Sequence, residues 1–299
     1  VIDLASAVLP PAIRALRFNR TFVTPQGARD RIREASLRPD ACGPPRTLRP
    51  DVRVDVVHDR GWPVYTLTPL AGRPSGGVVY AHGGAWVNQV VRQQWRMAAD
   101  VAAGAGVVVT LPVYPLVPWG TAGPVRERVV ELVRGSTERH GPTGVLGDSA
   151  GGQIVLSAAL ALRDSGVRLP ATVLVSPALD LTWSNPLIPV VQPSDPWLAT
   201  PGSVVLAEAW RGDLPLTDPA VSPLLGEMAG LGPLTVFTGT RDVLNPDAHL
   251  LVEKARAAGV DVELHEATGQ LHVYPMLPTR PGRAAAEVLV GRIARALRP

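Results

Sequence analysis

From Val52 onward the chain alternates short β-rich runs with longer apolar helical stretches, and this alternation limits the fold more than any other feature. The runs are VRVDVV, PVYTLT, GVVYAH, GVVVTLPV, TGVLG, ATVLVS, LTVFTG and VDVELHE. Helical stretches are expected near residues 93–104, 124–139, 150–165 and 247–258. Two opening antiparallel strands followed by strand and helix in turn predict a mostly parallel sheet with helices on both faces, an α/β class of the doubly wound type. With 299 residues, 46% of them hydrophobic and 18% charged, the chain has material for one large core and an accessory lobe.

Two segments stand outside the alternation. Near the start, LASAVLPPAIRALRFNRTFVTPQGARDRIREASL sets Arg14, Arg17 and Arg20 three apart beside Ile13, Leu16 and Val23, an amphipathic helical spacing. It reads as cap helices packed on the main domain, with a helix lying on a membrane surface as the alternative. After the strand at 171–176, a long insertion carries three of the seven tryptophans, Trp183, Trp197 and Trp210. Insertions at strand C-terminal ends lie where α/β folds bind ligands, so it reads as the second part of a cap. The expected organisation is 1–45 for N-terminal cap helices and 46–299 for the main domain, with 178–215 a cap insertion.

Several function classes fall away on composition. The formal charge is +3, and the arginines are scattered among nearly as many carboxylates, which argues against a nucleic-acid surface. Cys42 is the single cysteine, so neither an internal disulfide nor a cysteine metal site is expected. No apolar run reaches the length of a membrane span, since VAAGAGVVVTLPVYPLVPW is broken by glycines and prolines. The cytoplasm is the expected compartment. Because the chain begins with Val1, envelope association and a removed targeting segment stay open.

Gly147-Asp148-Ser149-Ala150-Gly151 fits G-x-S-x-G, with TGVL before it as strand and GGQIVLSAALALRDSG after it as helix. A serine on a strained strand-to-helix turn needs small neighbours two residues to either side. The helix N-terminus then aims N–H groups at the place where an oxyanion would form. A phosphate-binding reading fails, because the segment has neither a Walker lysine nor G-x-G-x-x-G spacing. Upstream, the strand in VVYAHGGAWV ends in His82-Gly83-Gly84-Ala85-Trp86, an HGGG-type loop. Gly83 and Gly84, with Ala150 after the serine, are the expected oxyanion donors, and His82 is read as a brace for the loop.

A serine nucleophile needs a base that titrates near neutrality, and imidazole is that group. Of six histidines, His58, His140 and His249 lie in unsuitable places, and His265 is expected on the polar face of a strand. His272 follows the last strand, as the base does in the chain order serine, acid, histidine. Asp242, just after the strand at 234–238, is the expected acid, with Asp180 as its competitor and Asp247 read as a residue at a helix start.

With these pieces in place the chain resembles the hormone-sensitive-lipase-like family of esterases and lipases. The resemblance runs through VVYAHGGAWV, VYPLVPW, GDSAGG, SPALDLT, DPAVSPLL, GTRDVL, EKARAAGVDVEL and HVYP, all in the family's order. It implies an α/β-hydrolase fold with a helical cap, and ester hydrolysis without a cofactor or metal. Ser149, Asp242 and His272 match the triad, Gly83, Gly84 and Ala150 the oxyanion hole, and Asp148 an acidic position beside the nucleophile. Ala85 departs from the family's third glycine, and Tyr114-Pro115-Leu116-Val117-Pro118-Trp119 from its Tyr-Arg-Leu-Ala-Pro-Glu.

The function expected on this basis is a serine carboxylesterase for short- to medium-chain esters, with a small-molecule ester as partner and a homodimer left open. Trp86, Asp148, Trp183, Trp197 and Trp210 are the expected substrate-pocket residues. Long-chain lipase and aryl formamidase activities are alternatives, as is a non-catalytic ligand-binding protein on the same scaffold.

Overall fold

The structure is a computed structural model that describes residues 4–298. Residues 1–3, the first of the expected N-terminal segment, and residue 299 lie outside the described residues. Eight strands form one sheet: β1 Val52–Asp59, β2 Trp62–Pro69, β3 Gly77–Ala81, β4 Val108–Pro112, β5 Thr143–Asp148, β6 Thr172–Val175, β7 Leu234–Gly239 and β8 Val262–Ala267. Their order is β1-β2-β4-β3-β5-β6-β7-β8, with β2 antiparallel to both β1 and β4 and the remaining pairs parallel. All eight β-rich runs of the sequence are strands.

The period-2 alternation of the inner strands splits the core in two. Val79, Ala81 and Val145 face one apolar layer with helices α4 (Ala122–His140), α5 (Ala150–Asp164) and α8 (Asn245–Ala257). Val78, Tyr80 and Leu146 face the other, with α3 (Arg92–Ala105) and α9 (Arg280–Ala296). Leu146, Leu156, Leu162 and Leu174 are fully enclosed, each burial contributing about 1.5–3 kcal/mol. Glycine and threonine punctuate the helices: Gly106 ends α3 at a φ of 67°, and the Thr279 hydroxyl accepts the Gly282 N–H at the start of α9. α9 was absent from the expected helices, although Ala285, Leu289 and Ile293 mark its buried stripe at four-residue spacing.

Outside the sheet lie α1 (Leu4–Ala15), α2 (Pro25–Leu37), the short α6 (Ile188–Val191) and α7 (Thr200–Arg211). The structure corrects the single amphipathic face read across residues 13–23. α1 stops at Ala15, and Arg17 turns into the left-handed region at φ 55°, so Arg17 and Arg20 do not continue that helix. Ile13 is buried, but Leu16 and Val23 are exposed; Phe22 points inward instead. α2 packs on α7, the Gly202 N–H donates to the Phe22 carbonyl, and the Arg14 guanidinium donates to the Pro193 carbonyl. The N-terminal helices and the insertion thus meet each other over the end of β5. No helix of the described residues is long and apolar enough to cross a membrane.

Candidate active site

Ser149 sits between β5 and α5 with φ 52° and ψ −120°, a conformation an L-residue holds only under constraint. A Cβ on Gly147 would collide with the Gly151 carbonyl, and one on Gly151 with the Ala81 carbonyl, so the turn cannot form with larger residues at either position. Gly152 abuts Pro177 in the same way and lets α5 pack closely on the chain after β6.

Two loops bring partners to this serine. Asp242 follows β7 and His272 follows β8. The Val273 N–H donates to the Ser176 hydroxyl at 2.9 Å and so pins the histidine loop to the end of β6. His272 Nδ1 lies 2.9 Å from Asp242 Oδ2, and its Nε2 lies 2.9 Å from Ser149 Oγ. A nitrogen facing a carboxylate is the protonated one, which leaves Nε2 as acceptor for the serine O–H. Asp242 is fully buried and also accepts the Leu244 N–H. Burial disfavours a charged His272, but the Asp242 charge and hydrogen bond, reinforced by Asp195 and Asp148, raise its pKa above the ordinary imidazole value.

The other expected candidates are elsewhere. His249, on α8, pairs with Glu266 of β8, and His265 stacks on Phe237 at 4.6 Å rather than pointing freely into solvent. Asp180 holds its own turn, accepting from the Thr182 N–H and the Thr182 and Ser184 hydroxyls. Asp247 is a buried anchor, not merely a helix-start residue: it accepts from Asn185 Nδ2 at 2.7 Å, and burial pushes its pKa up to about 6.

The loop after β3 corrects one expected oxyanion donor. The Gly83 N–H is already given to Asp148 Oδ1 at 3.0 Å, so it is not free for a substrate oxygen. Among the described residues, the N–H groups of Gly84 and Ala85 have no protein acceptor. Ala150, the first residue of α5, has no intrahelical acceptor for its N–H. Gly84, Ala85 and Trp86 run through successive positive φ values of 131°, 52° and 58°, a curl whose last two residues line one cavity with Ser149. Ala85 thus accepts the conformation its missing glycine would have adopted freely. His82 braces this curl with Nδ1 2.7 Å from the Gly83 carbonyl, while Tyr114 donates to the His82 carbonyl and stacks on its ring. Burial pushes the His82 pKa down to about 4, so it is neutral.

Asp148 and Trp210, expected in the pocket, are behind it. Asp148 is buried and takes hydrogen bonds from Tyr80, Gly83 and Gln94, tying the β3 loop to the elbow. Trp210 is enclosed and stacks on Trp86 at 5.8 Å, and both indole N–H groups donate to Gln153 Oε1. Trp86 and Trp183 do line the cavity beside Ser149, together with Phe22, Ala178 and Leu206. Trp197, also expected in the pocket, does not line this cavity but stands perpendicular to the His272 ring at 6.0 Å. The cavity measures about 20 Å³, close to the space of a single water. A larger recess of about 420 Å³ lies around Thr143 and Pro233, at the opposite ends of the strands and away from this chemistry. Gln153 and Asp195 escaped the sequence reading, and each matters through a partner far away in the chain; Ala85 was read as a departure from the glycine pattern but not as a donor.

The arrangement suits acyl transfer: a serine hydroxyl with a hydrogen-bonded base, a carboxylate behind the base, and three unengaged N–H groups, two in the loop after β3 and one at the start of α5. Residues 78–276 match the family described as the alpha/beta hydrolase fold. A triacylglycerol lipase of Mycobacterium tuberculosis is 34% identical over 223 residues, 73% of this chain and 46% of that protein, so the chain spans about half the length of this relative. An acetyl-hydrolase of Streptomyces hygroscopicus is 31% identical over 219 residues, 71% of this chain and 73% of that protein. The crystal structure of an esterase from the bacterial hormone-sensitive lipase family matches at TM-score 0.79 and 26% identity, covering 100% of this chain and 98% of that one. Motif order, sheet order and these matches agree: the chain belongs to the alpha/beta hydrolase fold family and, within it, to the hormone-sensitive-lipase-like group.

Proposed function

We propose that this chain is a serine carboxylesterase that prefers esters of very short acyl chains. Ser149 Oγ attacks the ester carbonyl as His272 Nε2 takes its proton, and Asp242 holds the ring and steadies the imidazolium without being protonated itself. The oxyanion rests on the N–H groups of Gly84, Ala85 and Ala150, and the loss of one such donor costs about 10²–10³ in rate. His272 then protonates the leaving alcohol, and water, deprotonated by the same imidazole, releases the acid from the acyl-enzyme. Gly83 acts one step back, holding the loop on Asp148.

The unbroken line from Asp242 through His272 to Ser149, at 2.9 Å for each contact, carries the reaction type. The size preference is supported by the cavity of about 20 Å³, walled by Trp86 and Trp183 and suited to an acetyl methyl rather than a long tail. The N-terminal segment and the insertion act as a cap that adds Phe22 and Trp183 to this wall. Nitrophenyl esters of increasing acyl length, assayed on the native chain and on Ser149→Ala, test the reading. Activity should peak at acetate or propionate and vanish in the variant. A peak at long acyl chains would replace esterase by lipase, and an active Ser149→Ala would remove the mechanism.

A further inference from the structure

The insertion brings a second buried carboxylate to the site. Asp195 lies in PSDPW, between α6 and α7, and is 6% exposed. Its Oδ1 accepts the N–H groups of Trp197 at 2.7 Å and Leu198 at 3.0 Å, closing a tight turn within the insertion. Its Oδ2 reaches across to the Val243 N–H at 2.9 Å. Val243 follows Asp242, and the next N–H, that of Leu244, is held by Asp242 itself. Two carboxylates from distant parts of the chain thus grip successive N–H groups of one turn.

The same insertion turn sets the ring of Trp197 edge-on against His272, opposite in role to the carboxylate that holds its Nδ1. We propose that Asp195 is a positioning residue for the hydrolysis: through it the insertion fixes the Asp242 turn, seats Trp197 against His272 and adds a second negative charge beside the base. The proposal rests on the reading of Ser149, His272 and Asp242 given above.

Asp195 contacts neither the serine nor a substrate position. It works on the acid turn by hydrogen bond, on the ring by packing, and on the imidazolium by charge. The charged groups that act on His272 are Asp242, Asp195 and Asp148, carboxylates from the loop after β7, the insertion and the end of β5. Burial and the neighbouring Asp242 push the pKa of Asp195 up to about 6, while the Val243 and Trp197 N–H groups oppose that rise. Above that pH Asp195 is charged and favours protonated His272.

Asp195→Asn separates these effects from folding. Asn keeps an oxygen for the Trp197 and Leu198 N–H groups but faces Val243 with a donor, so the turn survives and the link to the acid loop breaks. The expected result with nitrophenyl acetate is a nearly unchanged KM and a kcat lower by about tenfold to a hundredfold, the scale of small misplacements of a catalytic group. The acidic limb of kcat/KM should also move to lower pH, because a charge favouring the imidazolium has gone. Asp195→Ser, whose hydroxyl can still cap the insertion turn, should show the same displaced limb and guards against poor folding of the first variant. Wild-type limbs in these variants would overturn the proposal, even with a lower kcat, since a purely structural role leaves the basicity of His272 alone. Ser149→Ala measured alongside keeps the two readings apart: if it is inactive while the Asp195 variants keep the native limb, only the role of Asp195 falls.

Discussion

Ser149 and its loop partners stand on the ends of parallel strands, whereas Trp183, Asp195 and Trp197 come from an insertion that contributes no strand to the sheet. On the sheet side, position is set by bonds that join the strand ends of one sheet: Ser149 N–H to the Val175 carbonyl, Val273 N–H to the Ser176 hydroxyl, and Gly83 N–H to the Asp148 carboxylate. On the insertion side, position is set by buried carboxylates, with Asp195 reaching Val243 and Asp247 reaching Asn185. Strand ends fix the reacting atoms through covalent continuity with a packed core, and a segment without that continuity needs charged side chains as anchors. The difference explains how chemistry can stay constant while the wall around it varies.

This contrast can be broken most sharply with the two aspartates that follow adjacent strands. Asp242→Asn should lower kcat by about 10⁴, since the imidazole loses the partner that fixes its tautomer. Asp180→Asn should leave kcat near the native value, because Asp180 bonds only within its own turn and not to His272. Steady-state kinetics on the pair decide it, and the opposite ranking would move the acid to the insertion.

A smaller effect is expected where the two regions join. Gln153 Oε1 accepts the N–H groups of both Trp86 and Trp210, so Gln153→Leu leaves two buried indoles unpaired, at about 1–3 kcal/mol for each. Trp86 should then loosen, and the ratio of butyrate to acetate hydrolysis should rise by about tenfold, the scale of one or two methylenes in a pocket. An unchanged ratio would mean that Trp86 does not limit acyl length.

The smallest effect on activity should come from Asp247→Asn, which tests the anchoring of the insertion by its stability alone. The pKa of Asp247 is raised to about 6 by burial, so its favourable contribution is complete at acidic pH and is lost as pH rises through that value. An Asn in its place can still accept from Asn185 without a buried charge. Thermal unfolding should show the variant gaining about 1–3 kcal/mol over the native chain at pH 8 and little at pH 4. Equal Tm differences at the two pH values would contradict the assignment.

The sheet side was largely legible from the sequence because its signals are local. Eight β-rich runs became eight strands, and the glycines around Ser149 announce a turn that admits nothing larger. The contrast between Gly83 and Ala85 was not legible, since a motif shows which residues form a loop but not which N–H another side chain has taken. Asp148 takes that of Gly83 from 65 residues away. Asp195 was invisible for the same reason: its partner on the acid turn is 48 residues distant. At the N-terminus the arginine spacing suggested one continuous helix, but the left-handed turn at Arg17 ends it and brings Phe22 inward.

The central claim is that His272, held by Asp242, activates Ser149. Intact-mass and peptide analysis after brief treatment with an aryl phosphonate tests it most directly, comparing the native chain with His272→Ala. The account predicts one phosphonyl adduct per chain, on the peptide containing Ser149, formed rapidly in the native protein and barely at all in the variant. Labelling of another residue, or equally fast labelling of Ser149 without the histidine, would contradict it.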